Sequence, residues 1–162
     1  MIFSIYNIKV KHLKQILFFA FGAIFIFSAI SKAINIPSFS LVINSYCGLL
    51  GIDGLYSFTR LLAITICAFE FLIGIGAFIK PCQRVLIWVY PAVMAFFVYI
   101  TYINYTDLYG GIESCGCFGE LIHFTPASSF YKNIVLLGLS LILLAIHLWQ
   151  TSIYRKSRYE NG

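Results

Sequence analysis

Four apolar runs, over 15–34, 58–79, 85–105 and 126–148, dominate the chain. A helix needs roughly 20 mostly apolar residues to cross the hydrocarbon core of a bilayer. Backbone N–H and C=O groups in hydrocarbon must be satisfied within the segment, which a helix does. The runs therefore predict an all-α membrane protein, an antiparallel bundle of four transmembrane helices forming one domain over 1–162. Composition agrees: 60% of the 162 residues are hydrophobic and only 10% are charged. Soluble domains run about 45–50% and 25%, so disorder, a secreted disulfide knot and an ordinary cytosolic enzyme are excluded.

The first run follows Lys9, Lys11, His12 and Lys14 and ends near a weak signal-cleavage site, Ser31-Lys32-Ala33. Its apolar core is long for a signal peptide, so an uncleaved first helix is expected. Pro81 suits the stop after the second run, and Pro91 lies inside the third. Thr125 and Pro126 read as N-cap and first residue of the fourth helix.

The net charge of +5 falls where topology would put it, so lipid rather than nucleic acid is the expected partner. Lys9, Lys11, Lys14, Lys80, Arg84, Arg155, Lys156 and Arg158 lie on one side of a four-span arrangement. The two long connections on the other side, 35–57 and 106–125, contain no Lys or Arg. The positive-inside rule then predicts cytoplasmic termini and outward-facing long loops. Lys32, Arg60 and Lys132 can snorkel at outer helix ends. Tyr56, Tyr99, Tyr102 and Tyr105 fit an outer aromatic belt.

Within the first outer loop, Phe39, Val42, Ile43, Tyr46 and Leu50 recur at helical spacing. They predict a short interfacial helix with Cys47 at the edge of its apolar face. Gly51, Asp53 and Gly54 turn the chain into the second span.

The second outer loop holds the most specific string, Glu113-Ser114-Cys115-Gly116-Cys117-Phe118-Gly119-Glu120. A disulfide between Cys115 and Cys117 closes a very small ring through Gly116 and departs from relaxed geometry. Such bonds are the labile ones, suited to exchange. Glu113 and Glu120 oppose thiolate formation, while His123 and Lys132 would favour it if the fold brings them close. Three readings stay open. Cys115, Cys117 and Cys47 could carry redox exchange. The pair could brace the loop, or one member bond to Cys47. Cys115, Cys117, Cys47 and His123 could hold Cu(I) or Zn, although the spacing is not that of a usual zinc site. Cys82 faces the reduced side, and Cys67 reads as a packing residue.

Glu70 lies near the middle of the second span, where a carboxylate is costly and functional by default. It contacts a proton path or cofactor, or else acts as neutral packing glue. Ala63, Cys67, Glu70, Gly74 and Ala77 form one small, polar helical face that permits close helix approach. Asn133, Ser140 and His147 stand at heptad spacing in the fourth span and predict an inward polar seam. Ser140 is the expected partner of Glu70. Lys32 either meets Glu113 or Glu120, or snorkels. Glu70, Lys32 and Ser140 are the intramembrane candidates for touching a cofactor.

These residues carry a resemblance. Phe27-Ser28-Ala29-Ile30-Ser31-Lys32, Glu70 with Gly74, and above all Cys115-Gly-Cys-Phe-Gly-Glu120 followed by Thr125-Pro126 and Ser129-Phe-Tyr-Lys-Asn133 resemble the DoxX-like, methylamine-utilisation (MauE) membrane proteins. The resemblance implies a four-helix bacterial inner-membrane protein serving redox maturation of exported proteins. It implies Cys115 and Cys117 as the cysteine pair, exposed to the periplasm, and a separate thioredoxin-like exported partner. The architecture also resembles the quinone-coupled DsbB and vitamin K epoxide reductase enzymes, which implies a quinone cofactor. Those enzymes use Cys-x-x-Cys, whereas this chain has Cys-x-Cys. The competing functions are a non-enzymatic assembly scaffold and a Cu- or Zn-handling protein. A transporter fits poorly with four unbroken spans, unless an oligomer supplies more.

Overall fold

The structure, a computed structural model, describes residues 2–49, 51–106 and 126–160. It is all-helical over these residues. Five helices run in order: α1 (Ile2–Ile34), α2 (Ile36–Leu49), α3 (Thr59–Gly76), α4 (Lys80–Tyr105) and α5 (Pro126–Glu160). A 3-10 turn, Asp53–Phe58, leads into α3. Four stretches are long and apolar enough to span a membrane: Val10–Ile34, Gly54–Gly76, Lys80–Tyr105 and Ala127–Ser152. The chain is thus a multi-pass membrane protein built as a four-helix bundle, with α2 as a fifth, shorter element. The outer helices overrun the apolar runs that predict them, because no Gly or Pro interrupts 2–14 or 149–160.

Helix ends follow local chemistry. Asn35 accepts the Ser38 backbone N–H on its side-chain oxygen at 3.3 Å, capping the start of α2. Gly51 ends α2 at φ +66°, with Ile52 N–H donating to the Cys47 carbonyl and Gly51 N–H to that of Gly48. This pair of bonds is a Schellman closure, and its left-handed residue is best supplied by glycine. Between α3 and α4 the chain turns in three residues, where the Gln83 amide donates to the Ala77 carbonyl at 2.7 Å. Pro91 sits within α4, which continues through it.

The main pairings are α4 with α5, α1 with α3, and α2 with α3. The α1–α3 crossing is set by glycine. A Cβ on Gly74 would sit 2.6 Å from Ile26 Cγ1 and 3.0 Å from the Gly22 carbonyl oxygen. The predicted small face, Ala63, Cys67, Glu70, Gly74 and Ala77, is buried throughout, and Glu70, Gly74 and Ala77 meet α1. At the centre of the bundle, the fully buried Tyr90 ring packs against Phe21 and Phe25, with centroids at 4.8 and 5.5 Å. A second apolar cluster joins Phe39 of α2 to Ala63 and Cys67 of α3. The apolar face predicted for α2 therefore turns onto the bundle. Exposed Leu, Ile and Phe side chains cover the outer faces of the spanning helices, as expected where the solvent is lipid.

Candidate functional site

Lys32 lies in the last turn of α1, and Glu70 lies in the second half of α3. Their contact follows from the glycine crossing, which brings these helices close enough for a lysine to reach across. The Lys32 ammonium donates to Glu70 Oε1, and the two side chains are only 3% and 2% exposed. It also donates to Ser28 Oγ at 2.9 Å, one turn back on α1. The rings of Phe39 and Phe97 flank it, with centroids at 5.5 and 5.4 Å. A lysine has three donors and no acceptor; here two hydrogen bonds and two aromatic faces surround the cation. Glu70 Oε2 is buried without a hydrogen-bond partner among the described residues.

Two sequence expectations are corrected here. Lys32 does not snorkel outward, because Glu70 compensates its charge inside the protein. Ser140 is not the partner of Glu70. It is fully buried on α5 and donates to the Leu137 carbonyl at 2.7 Å, so its hydroxyl is satisfied on its own helix. The rest of the α5 seam serves packing contacts. Asn133 donates to Thr101 Oγ1 of α4 at 3.4 Å. His147 Nδ1 lies 3.1 Å from the Lys14 ammonium, at the opposite end of the bundle.

A cavity of about 440 Å³ opens beside the ion pair. Its walls come from α2, α3 and α4, with Lys32 and Glu70 at one side. It forms because α3 and α4, joined by a tight turn, make few contacts further along, and α2 covers the gap. Cys47 belongs to this wall. It is buried rather than at the edge of the α2 face, and it is a free thiol, as are Cys67 and Cys82 among the described residues. The aromatic side chains Phe39, Tyr46, Phe69, Phe96 and Phe97 give the cavity its apolar character.

Cys115, Cys117 and His123, with Glu113 and Glu120, lie outside the described residues. The helices on either side of them are defined. Tyr105, ending α4, stacks on Phe130 in the first turns of α5 at 5.1 Å. The end of α4 and the start of α5 therefore lie together, at the end of the bundle that carries Lys32. Among the described residues, no group of three or more His, Cys, Asp or Glu side chains is placed to hold a metal.

The sequence profile described as methylamine utilisation protein MauE matches residues 10–146. The chain belongs to the MauE family. Neither a curated protein nor a solved structure matches it. The match covers the first three spanning helices, most of the fourth, the ion pair and the Cys-Gly-Cys string of this MauE-family chain.

Sequence reasoning did not anticipate the Thr101 contact, the Tyr90 cage or the cavity. One signal pointed to the ion pair: an acid and a base at membrane depth are strongly driven to find each other. For the cavity there was none, since it depends on how far two helices splay.

Proposed function

We propose that this MauE-family protein is a membrane accessory that exchanges disulfides with an exported thioredoxin-like partner through Cys115 and Cys117. The observation that carries this reading is the Cys-Gly-Cys string in the sequence that joins α4 to α5. The one-sided Lys and Arg distribution supports periplasmic exposure of that string and cytoplasmic termini in a bacterial inner membrane.

One thiolate of the pair attacks a partner disulfide, forming a mixed disulfide and releasing one partner thiolate. The second cysteine then attacks the mixed disulfide. This closes Cys115–Cys117, frees the second partner sulfur, and moves two electrons to the partner. The reverse sequence oxidises the partner. Cys47, buried in the cavity wall, would join only by a route through that cavity.

The test is thiol trapping in intact membranes with a thioredoxin-like protein lacking its resolving cysteine. A mixed disulfide should form with the native chain and disappear in Cys115→Ser/Cys117→Ser. Trapping that is unchanged in the double variant would sink the mechanism. A Cys115–Cys117 bond that resists a thioredoxin-like reductant would favour the scaffold reading.

A further inference from the structure

Phe18 on α1, Ile87 on α4 and Leu143 on α5 belong to one core cluster. One helical turn from each, toward the end of the bundle away from Glu70, stand Lys14, Arg84 and His147. Three helices thus bring three basic side chains to one level. Lys14 and His147 are half-buried, and Arg84 is exposed. The Lys14 ammonium lies 3.1 Å from His147 Nδ1, and Arg84 is within electrostatic reach of the same ring. An ammonium only donates, so Nδ1 accepts and the imidazole N–H sits on Nε2. Lys14 keeps two donors, Nε2 offers one, and Arg84 offers its planar fork. The chain has six acidic residues to answer them. Glu70 is held by Lys32, and Asp53 leads into α3 at the opposite end. Asp107, Glu113 and Glu120 fall in sequence between the far ends of α4 and α5. Glu160 follows His147 by 13 residues, roughly 20 Å of helix. The rim of the cluster is apolar: Leu13, Val85 and Leu148, the immediate chain neighbours of the three, are exposed, as is Trp88 one turn beyond Arg84 on its face. What fits is an anion with several acceptor oxygens on an apolar body.

We infer that α1, α4 and α5 form a binding site for an anionic phospholipid at this end of the bundle. The phosphodiester oxygens accept from Lys14, Arg84 and His147, and the acyl chains lie against Leu13, Val85 and Trp88. Basic pockets between membrane helices suit acidic headgroups in this way. A soluble phosphate would leave the apolar rim uncovered. A zwitterionic headgroup would bring a further cation to a cluster of cations. The site stands independently of Cys115 and Cys117, and its test does not involve them.

The test is native mass spectrometry of the full chain in detergent, titrated with dioleoyl phosphatidylglycerol or dioleoyl phosphatidylcholine. One phosphatidylglycerol per chain should bind, at about ten-fold lower concentration than phosphatidylcholine. Lys14→Gln and Arg84→Gln should each weaken that binding about five-fold. A Gln amide at position 14 can still donate to His147, and Arg84 is exposed, so both variants should melt near the native temperature. Lys156→Gln removes the same charge further along α5, beyond the screening distance from His147, and should change binding by less than about two-fold. An equal loss in Lys156→Gln would mean diffuse attraction to a basic face and would overturn the site. Excess inorganic phosphate should not displace the lipid; displacement would assign the cluster to a soluble anion and overturn the lipid assignment. Equal affinity for the two lipids, or undiminished binding in Arg84→Gln, would each overturn the inference.

Discussion

Lys32 on α1 and Glu70 on α3 are buried against each other, 38 residues apart in sequence, with the Lys32 cation also held by Ser28 and two phenyl rings. A buried pair is weak evidence for net stability, because desolvation offsets most of the attraction. Breaking it from one side is different, since a lone charge is left in a low-dielectric interior. Lys32→Met should destabilise by about 3–5 kcal/mol. The double variant Lys32→Met/Glu70→Leu should recover most of that loss. Thermal unfolding in detergent checks both; a double variant as unstable as the single would contradict a simple paired role.

Gly22 and Gly74 let α1 and α3 meet backbone to backbone. Gly74→Ala gains helix propensity but places a methyl 3.0 Å from both the Gly22 carbonyl oxygen and the Ile26 nitrogen. Backbone atoms cannot swing aside as a side-chain tip can, so the clash should win by about 1–3 kcal/mol. Gly138 on α5 has open space around its missing Cβ. Gly138→Ala should therefore stabilise by about 0.5–1 kcal/mol. Opposite shifts in melting temperature are expected from the same chemical change.

Tyr90 places a hydroxyl in the centre of the core, where it is buried without a hydrogen-bond partner among the described residues. Tyr90→Phe keeps the stacking with Phe21 and Phe25 and removes the unmet group. It should be neutral or stabilising by about 1 kcal/mol. A marked loss of stability in the same unfolding assay would show that the hydroxyl is hydrogen-bonded in the folded chain.

Orientation can be read from exposed positions at opposite ends. Lys80 stands at the α3–α4 turn, and Gly54 stands in the 3-10 turn beyond α2; both are exposed. In a chain whose native cysteines are replaced by Ser, Gly54→Cys should react with a membrane-impermeant maleimide in intact cells. Lys80→Cys should react only after the membrane is opened. At least ten-fold contrast is expected; the reverse pattern would place Cys115 and Cys117 in the cytoplasm and remove the exported partner.

The four spans, the amphipathic α2, the small face of α3 and the polar seam of α5 were legible in the sequence. Each is a local property: a length of apolar chain, or a period of 3.6 residues, that any neighbour must respect. Glu70 was legible as costly, and Lys32 as a residue requiring an explanation. Their pairing was not, because Ser140 offered a similar depth and only the α1–α3 crossing decides which group arrives. Cys47 read as an edge residue because its burial depends on the way α2 leans onto α3. Apolar length and periodicity thus determined that this chain crosses a membrane as a four-helix bundle. Tertiary packing alone decided which charges meet and where a cavity remains. Those outcomes depend on helix separations of a few ångströms, set by contacts between residues far apart in the chain.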